Sequence, residues 1–254
     1  MRELFDLTGN AALCTGASSG IGRRMAIALS RAGADVVLVG RQKDELEHTA
    51  ETVRRHGAGE PAIVVADLLE RERLPEIVAD ARSKFGAPTI LTNAAGINLR
   101  QPVDEVSFRT WDDTLNLNLG VPFFLARECV PGMLEKGRGK IINVASLQSF
   151  RAFANSIPYG ASKGGVVQLT RAMAEAWSSR GILTNAIAPG FFPSRLTAPV
   201  WDDPEILEHN AKMTAIGRNG LEEDIDGVTV FLAARASDYI TGQVIGLDGG
   251  YSAK

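Results

Sequence analysis

The sequence predicts an α/β fold, a single-domain doubly wound parallel sheet of about seven strands with helices on both faces. Seven short apolar runs recur along the chain, and most are continuous in Val, Ile, Leu and Ala, which is typical of parallel strands buried on both faces. The runs begin at Ala11, Asp35, Ala62, Thr89, Lys140, Leu183 and Gln243. Segments with helical periodicity separate them, such as the apolar positions spaced three and four apart between Ile21 and Ala32. Because strand and helix alternate and crossovers are right-handed, the helices cover both faces of the sheet.

The chain carries no sign of a domain boundary. No proline- or serine-rich linker, low-complexity tract or internal repeat interrupts the alternation, so we expect residues 1–254 to form one domain. The longest stretch without a strand precedes the last apolar run. Its first part, 191–215, contains prolines, aromatic residues and a short helical pattern, and we expect it to form a lid over a bound molecule.

Composition favours a protein that acts on small molecules. The formal net charge is -3 and the isoelectric point about 5.7, so no basic excess is available to neutralise the phosphates of a nucleic acid. No run of about 18 apolar residues is present, so we expect no membrane span and a cytoplasmic protein. Cys14 and Cys129 lack C-x-x-C spacing and the three histidines lack metal-ligand spacing, so no disulfide framework and no metal site are expected.

A glycine-rich loop, TGASSGIG, follows the first predicted strand and precedes an amphipathic helix. The first turn of such a helix offers unpaired backbone N–H groups and the positive end of its dipole, and glycine lets a pyrophosphate approach the backbone. At the start of a βαβ unit the pattern predicts a dinucleotide site and therefore a Rossmann fold. The expected contacts in the loop are Gly16, Ser18, Ser19, Gly20, Ile21 and Gly22.

Two other interpretations of this loop fail. Residues 16–20 match the G-x-S-x-G nucleophile elbow of α/β-hydrolases, with Ser18 as nucleophile, but that fold needs earlier strands to supply oxyanion-hole amides and only 15 residues precede Gly16. A phosphate-binding P-loop requires glycine and then lysine where Ile21 and Gly22 stand.

The end of the second strand predicts which nicotinamide cofactor binds. An acidic residue there would accept hydrogen bonds from the adenosine ribose and repel a 2′-phosphate. Gly40 occupies that place and Arg41 follows it, so we expect NADP rather than NAD, although Arg41 would also suit a cap on a surface turn. Asp67, at the tip of the third strand, either accepts a hydrogen bond from the adenine amino group or caps the next helix.

Tyr159 and Lys163 are four residues apart, so on a helix their side chains share one face. Hydride transfer needs a group that takes the proton of an alcohol or returns it to a carbonyl. At about 4 Å and an effective dielectric of ~20, the lysine charge would favour the tyrosinate by about 4 kcal/mol, or roughly 3 pKa units. We therefore expect the pKa of Tyr159 to fall towards neutrality. Ser146 ends a buried strand and would hold the substrate oxygen beside the phenol.

Together these motifs resemble the short-chain dehydrogenase/reductase family over essentially the whole chain. The matching segments are TGASSGIG at 15–22, NAAG at 93–96, Asn118, Ser146, YGASK at 159–163 and PG at 189–190. The resemblance implies an alcohol dehydrogenase or ketoreductase that uses NAD(P), with Asn118, Ser146, Tyr159 and Lys163 as a catalytic tetrad. It also implies that Asn118, at a helix kink, anchors a water that connects Lys163 to solvent, and that Lys163 holds the nicotinamide ribose.

The resemblance implies further cofactor contacts at the same edge of the sheet. They are Leu68, Asn93, Ala94, Gly96, Pro189, Gly190, Phe192 and Ser194, besides Tyr159 and Lys163. Ser194 stands where the family often has a threonine that contacts the nicotinamide carboxamide. Ala94 replaces the second asparagine of the family motif, so we expect a hydrogen bond between strand and loop to be lost. The resemblance also implies a homotetramer, with the segment 243–250 near a subunit contact.

The substrate is predicted from two segments that resemble the sugar-acid and polyol branch of the family, which includes gluconate 5-dehydrogenases. They are AGINLRQP at 95–102 and SLQSFRA at 146–152. Arg100 would then pair with a substrate carboxylate, or else remain solvated, and Gln148 would bond hydroxyl groups beside Ser146 and Tyr159.

Other activities stay open at this point. Phe191, Phe192 and Trp201 in the expected lid would suit an apolar pocket for a 3-oxoacyl thioester, a steroid or a terpenoid. A protein of another class also stays open, a regulator that senses NADP without turnover. Such a regulator would not need Tyr159 and Lys163, and the presence of both residues favours an enzyme.

Overall fold

The strands lie in one sheet in the computed structural model, which describes residues 2–194 and 197–254. They are β1 (Ala11–Thr15), β2 (Asp35–Gly40), β3 (Pro61–Val65), β4 (Ile90–Asn93), β5 (Gly139–Val144), β6 (Ile182–Pro189) and β7 (Val244–Leu247). The order across the sheet is β3-β2-β1-β4-β5-β6-β7, and all neighbouring strands are parallel. The predicted fold class, a doubly wound parallel sheet of seven strands, is confirmed.

Helices follow the strands and cover both faces of the sheet. They are α1 (Arg2–Phe5), α2 (Gly20–Arg31), α3 (Lys43–His56), α4 (Leu74–Phe85), α5 (Phe108–Leu115), α6 (Val121–Glu135), α7 (Ile157–Trp177), α8 (Ala198–Trp201), α9 (Pro204–Met213) and α10 (Asp224–Ala233). One turn of π-helix, Asn116–Gly120, joins α5 to α6. Within the described parts of the chain, no helix combines the length and apolar character that crossing a membrane requires.

Each face of the sheet buries its own apolar layer. Side chains alternate along β1, so Ala12 and Cys14 belong to one layer and Leu13 to the other. The first layer includes Met25, Leu29, Ile225 and Leu232, and the second includes Ile77, Leu125 and Met133. Since complete burial of one large aliphatic side chain contributes about 1.5–3 kcal/mol, these layers hold α2 and α10 on one face and α4 and α6 on the other.

The sheet changes its direction of winding at β1. This strand pairs with β2 on one side and with β4 on the other, so the loops that follow β1 and β4 leave the sheet towards opposite faces. A crevice opens between two such loops at the carboxyl edge of the strands. The glycine loop after β1 and the NAAG segment after β4 both lie at this crevice.

Both thiols lie in the apolar layers. Cys14 on β1 and Cys129 on α6 are buried and free, and burial raises the pKa of each to about 12. Because the thiolate is the reactive form, neither cysteine is a nucleophile at neutral pH.

Gly22→Ala is expected to destabilise the fold by about 1–3 kcal/mol through overpacking. A Cβ on Gly22 would lie 2.4 Å from the carbonyl oxygen of Gly16, and backbone at that distance must move. The matched control is Gly227→Ala in α10, where a Cβ meets nothing within 4 Å. The better helix propensity of alanine should stabilise the fold there by up to about 1 kcal/mol. Urea unfolding of the two variants measures the difference, and equal free energies of unfolding would contradict the close packing of the loop.

Candidate active site

A cleft of about 720 Å³ runs along the carboxyl edge of the sheet. Every residue predicted from the sequence to bind cofactor or substrate, or to act in catalysis, lines this cleft except Asn93 and Asn118. Sequence reasoning assigned no role to several other lining residues. Among them are Gln42, Asn98, Leu147, Phe153 and Thr197.

The glycine loop packs closely against its surroundings. Gly16 has a left-handed φ of +66°, and a Cβ on it would lie 2.8 Å from the backbone nitrogen of Ala95. Gly20 has φ +52°, and its Cβ would lie 2.8 Å from Cβ of Ser194 on the opposite wall. Helix α2 begins at Gly20 and has no acidic residue in its first turn. The positive end of its dipole therefore faces a narrow, glycine-lined space, which fits the pyrophosphate of a dinucleotide.

Thr15, at the end of β1, joins the two loops that form the crevice. Its Oγ1 donates to the carbonyl oxygen of Thr92 at 3.0 Å and accepts from the backbone N–H of Ala94 at 3.0 Å and of Ala95 at 3.2 Å. The loss of a side-chain hydrogen bond at Ala94 stays a prediction, and the threonine hydroxyl supplies a link between strand and loop through the backbone. The sequence shows that Thr15, at the end of β1, carries a hydroxyl group, but it does not show which backbone groups that hydroxyl binds.

The Asn93 side chain does not line the cleft, and the role of Asn93 as a cofactor contact stays a prediction. Its amide nitrogen donates to Asn143 Oδ1 at 2.9 Å and to the carbonyl oxygen of Pro122 at 3.4 Å. The side chain is buried between β4, β5 and the start of α6. It is a structural bridge, because the last position of β4 points its side chain towards α6.

Arg41 and Asp67 meet at the adenosine end of the cleft. Arg41 Nη1 lies 3.5 Å from Asp67 Oδ2, and 63% of the arginine side chain is exposed. An exposed pair at this distance contributes little stability, so the guanidinium is available to a phosphate. Asp67 Oδ1 accepts from the backbone N–H of Leu69 at 3.0 Å, which closes a local turn. Asp67 does not cap α4, whose N-cap residue is Arg73.

Tyr159 and Lys163 lie in the first two turns of α7, and both are buried. Lys163 Nζ donates to the carbonyl oxygen of Val144, the last residue of β5, at 2.6 Å. The same nitrogen lies 5.6 Å from the centroid of the Tyr159 ring. The two side chains are therefore neighbours, as the spacing predicts, but the ammonium is bound to the strand and lies beside the ring.

The expected fall in the pKa of Tyr159 is wrong for the protein without a ligand. Burial raises the pKa of Tyr159 above its ordinary value, while a hydrogen bond with Ser146 and the positive charge of Arg100 oppose the rise. Burial also lowers the pKa of Lys163 to about 8. Desolvation is the largest cause of both shifts because both groups lie in the interior, where the charged form of each loses its hydration.

Ser146 is held at the end of β5 by a compact turn, Leu147–Ser149. Its Oγ accepts from the backbone N–H of Gln148 at 3.1 Å, and its own N–H donates to Ser149 Oγ at 3.2 Å. Ser149 Oγ in turn donates to the carbonyl oxygen of Lys163 at 2.7 Å. The turn therefore positions Ser146 against the helix that carries Tyr159 and Lys163, a role for Ser149 that sequence reasoning missed.

Asn118 lies behind the cleft, in the π-helical turn between α5 and α6. Its Oδ1 accepts from the N–H of Ile97 at 2.9 Å, and its Nδ2 donates to the carbonyl oxygen of Ile97 at 2.9 Å and to Ser162 Oγ at 3.0 Å. These bonds tie the loop after β4 to α7. A Cβ on Gly96 would lie 3.0 Å from Asn118 Oδ1 and 3.8 Å from Lys163 Nζ, so the three residues are close together.

The opposite end of the cleft has one polar wall and one aromatic wall. Asn98, Arg100 and Gln148 form the polar wall, and Arg100 is exposed. Phe153 and Phe191 form the aromatic wall, with ring centroids 6.0 Å apart in an edge-to-face arrangement. Among the described residues, no group of three or more His, Cys, Asp or Glu side chains is placed to hold a metal ion.

Sequence and structure comparisons agree with this geometry. The family model described as Enoyl-(Acyl carrier protein) reductase matches residues 16–252. A glycine loop, a serine and a Tyr–Lys pair on one Rossmann edge define a short-chain dehydrogenase/reductase, and the chain belongs to this family. It is therefore an enzyme that acts between alcohols and ketones with NAD(P).

Individual relatives cover nearly the full chain. The gluconate 5-dehydrogenase of Gluconobacter oxydans strain 621H is 39% identical over 248 residues, which are 98% of this chain and 96% of that protein. The 2-dehydro-3-deoxy-D-gluconate 5-dehydrogenase of Bacillus subtilis strain 168 is 37% identical over 254 residues, 99% of this chain and 98% of that protein. The crystal structure of a gluconate 5-dehydrogenase from Burkholderia cenocepacia J2315, in complex with NADP and tartrate, superposes with a TM-score of 0.92 at 34% identity, covering 100% of this chain and 99% of that one.

Lys163→Met is expected to stabilise the ligand-free fold at neutral pH. Since burial lowers the pKa of Lys163 to about 8, the folded protein holds a poorly solvated ammonium below pH 8. Between about pH 8 and the ordinary value of 10.5, the unfolded chain binds a proton that the folded chain does not, so wild-type stability rises with pH in this window. The advantage of methionine, on the order of 3 kcal/mol at pH 7, should therefore shrink towards pH 10.

Urea unfolding at the two pH values measures this advantage. Lys84→Met, at an exposed position on α4, is the matched control and should differ little from wild type at either pH. A stability difference for Lys163→Met that stays the same from pH 7 to pH 10 would contradict the burial of the charge.

Proposed function

We propose that the enzyme interconverts a secondary alcohol and a ketone on a sugar acid or polyol, with NADP(H) as the redox partner. The observation that carries the proposal is the meeting of Ser146, Tyr159 and Lys163 with the glycine loop in one cleft. The names of the relatives, which refer to gluconate and to 2-dehydro-3-deoxy-D-gluconate, support the substrate class.

The residues at the carboxyl edge would hold the cofactor along its length. The glycine loop and the first turn of α2 would bind the pyrophosphate, Arg41 the 2′-phosphate, and Lys163 the nicotinamide ribose. Asp67 and Leu68 would contact adenine, and Pro189, Gly190, Phe192 and Ser194 would line the nicotinamide side. When bound, the nicotinamide accepts a hydride from an alcohol carbon or donates one to a carbonyl carbon.

Tyr159 would exchange the proton that accompanies this hydride. Its hydroxyl donates to the substrate oxygen during reduction, and its phenolate accepts the alcohol proton during oxidation. Because burial raises the pKa of Tyr159, the phenol is protonated at neutral pH in the ligand-free protein, which is the form that reduction requires. Ser146, which lines the same cleft as Tyr159, would hold the same substrate oxygen.

Lys163 and Asn118 would supply the proton path behind the phenol. Lys163 Nζ lies beside the Tyr159 ring, and Asn118 links the loop at Ile97 to Ser162 of the same helix. The Asn118 amide lies within the turn of π-helix, which is the kink that the resemblance implies. We propose that this turn anchors the water that connects Lys163 to solvent.

A screen of the purified enzyme with NADPH tests the proposed substrate. We expect turnover of 5-keto-gluconate, and a fall in kcat of at least about 100-fold in Tyr159→Phe because the proton donor is lost. Tyr239→Phe, which alters a fully exposed tyrosine, is the matched control and should keep wild-type rates. Equal rates in Tyr159→Phe and wild type would indicate the non-catalytic regulator instead.

A second candidate substrate is a 3-oxoacyl thioester, which the aromatic wall favours. Phe153 and Phe191 face the cleft at its substrate end, and an acyl chain would pack against them. Acetoacetyl thioester therefore belongs in the same screen. Strong turnover of the thioester without turnover of 5-keto-gluconate would overturn the sugar-acid proposal.

Arg41→Gln is expected to change the choice of cofactor. Losing the charge-assisted hydrogen bonds to a 2′-phosphate should lower kcat/KM for NADPH roughly tenfold or more, while kcat/KM for NADH should change little. Arg109→Gln, on the exposed face of α5, is the control and should alter neither value. Steady-state kinetics with both cofactors give the ratio, and an equal loss with NADPH and NADH would show that Arg41 does not recognise the phosphate.

The lid, the assembly and the location are also proposals. The expected lid, 191–215, contains α8 and α9, and its residues Arg195 and Leu196 lie outside the described residues. Trp201 Nε1 donates to the carbonyl oxygen of Phe192 at 3.1 Å. This hydrogen bond ties α8 to the cleft wall. Among the described residues, β7 pairs with β6 and with no other strand. We propose that a second copy of the chain covers its outer edge, in support of a homotetramer. We also propose a cytoplasmic enzyme.

A further inference from the structure

Arg100 is a charged group of the cleft that the hydride-transfer chemistry leaves without a partner. The other charged side chains that line the cleft are Arg41, Asp67 and Lys163. Arg41 pairs with Asp67, and Lys163 is bound to the end of β5. Arg100 forms no ion pair or side-chain hydrogen bond with any residue in the described ranges. Arg100 is therefore available to bind an anionic group at the substrate end of the cleft.

Two hydrogen bonds hold the Arg100 loop against the start of α7. The backbone N–H of Gln101 donates to the carbonyl oxygen of Asn155 at 3.0 Å, and Asn98 Nδ2 contacts Ser156 Oγ at 3.4 Å. Asn155 has a φ of +57°, the sole left-handed value at a non-glycine position among the described residues. Asparagine tolerates this conformation better than most residues. The turn at Asn155 thus fixes Arg100 beside the first turn of α7, where Tyr159 is the third residue.

The charged and polar groups that act on Tyr159 come from three elements. From α7 comes Lys163, whose ammonium lies beside the ring. From the turn after β5 comes Ser146, and from the loop after β4 comes Arg100; both lower the pKa of Tyr159 against the larger effect of burial. The positive charge of Arg100 therefore favours the phenolate in the protein without substrate.

We propose that Arg100 couples substrate docking to proton transfer, because it lines the same cleft as Tyr159, on a loop tied to the start of α7, and would pair there with a substrate carboxylate. A carboxylate forms strong charge-assisted hydrogen bonds with arginine. Once paired, Arg100 no longer favours the phenolate, and the bound carboxylate adds negative charge nearby. A keto acid therefore keeps Tyr159 in the protonated form that reduces it, whereas an uncharged polyol leaves the phenolate favoured. This inference rests on the proposed function.

The experiment measures tyrosinate formation by ultraviolet absorbance as the pH is raised. Subtracting the curve of the same protein carrying Tyr159→Phe isolates the transition of Tyr159. Without ligand, the Tyr159 transition in Arg100→Gln should lie at higher pH than in wild type. Saturating gluconate should move the wild-type transition to higher pH and leave Arg100→Gln unmoved. Glucitol, which has a hydroxymethyl group in place of the carboxylate, should move neither. In steady-state kinetics, Arg100→Gln should raise KM for gluconate roughly tenfold and leave KM for glucitol unchanged.

Several outcomes overturn the inference. Identical ligand-free transitions in wild type and Arg100→Gln would show that Arg100 does not act on the phenol, whatever the enzyme turns over. Failure of gluconate to bind, or equal shifts with gluconate and glucitol, would exclude the carboxylate link. If the ligand-free transitions differ and gluconate shifts only wild type, but no sugar acid is turned over, the proposed function fails while the coupling stands.

Variants at Asn155 test the turn that positions Arg100. Asn155→Gly permits the left-handed backbone and should titrate like wild type. Asn155→Val strains it, because a β-branched residue rarely adopts a positive φ, and should move the ligand-free transition towards that of Arg100→Gln. Asn155 is exposed, so both variants should fold. A wild-type transition in Asn155→Val would show that this turn does not position Arg100.

Discussion

The reversal of winding at β1 is the constraint on which the rest of the site depends. Since β1 pairs with β2 on one side and β4 on the other, the two loops that follow β1 and β4 diverge and leave a crevice. The hydroxyl of Thr15 holds these loops at a fixed separation through three hydrogen bonds. The cofactor loop, the NAAG segment and the strand that ends before Ser146 all reach the same edge because every strand of the sheet is parallel.

The chemistry of the site comes from burial more than from attraction between charges. The interior raises the pKa of Tyr159 and lowers that of Lys163 to about 8, because burial disfavours the charged form of each group. The cost of burying these groups is offset by the two apolar layers, and it is reduced by the hydrogen bond from Lys163 to β5.

Each end of the cleft carries an arginine, and the two arginines differ in whether an acidic side chain lies beside them. At the adenosine end, Arg41 lies against Asp67, and the exposed pair separates at little cost when an anion arrives. At the substrate end, Arg100 has no acidic neighbour among the described lining residues. Under the proposed function, a dinucleotide and an anionic substrate would therefore be bound by different cations.

The sequence by itself determined the alternation of strand and helix, the glycine loop and the identity of Tyr159, Lys163 and Ser146, because hydrophobic periodicity and short motif spacing are local properties. Only the tertiary structure decided that the Asn93 amide bonds to Asn143 and Pro122, that the Thr15 hydroxyl binds the backbone of Ala94 and Ala95, and that burial raises the pKa of Tyr159. The spacing of Tyr159 and Lys163 predicts that they are neighbours, but not that Val144 holds the ammonium or that both groups are dehydrated. Burial and long-range contacts arise from packing between segments distant in the chain, and no local pattern records them.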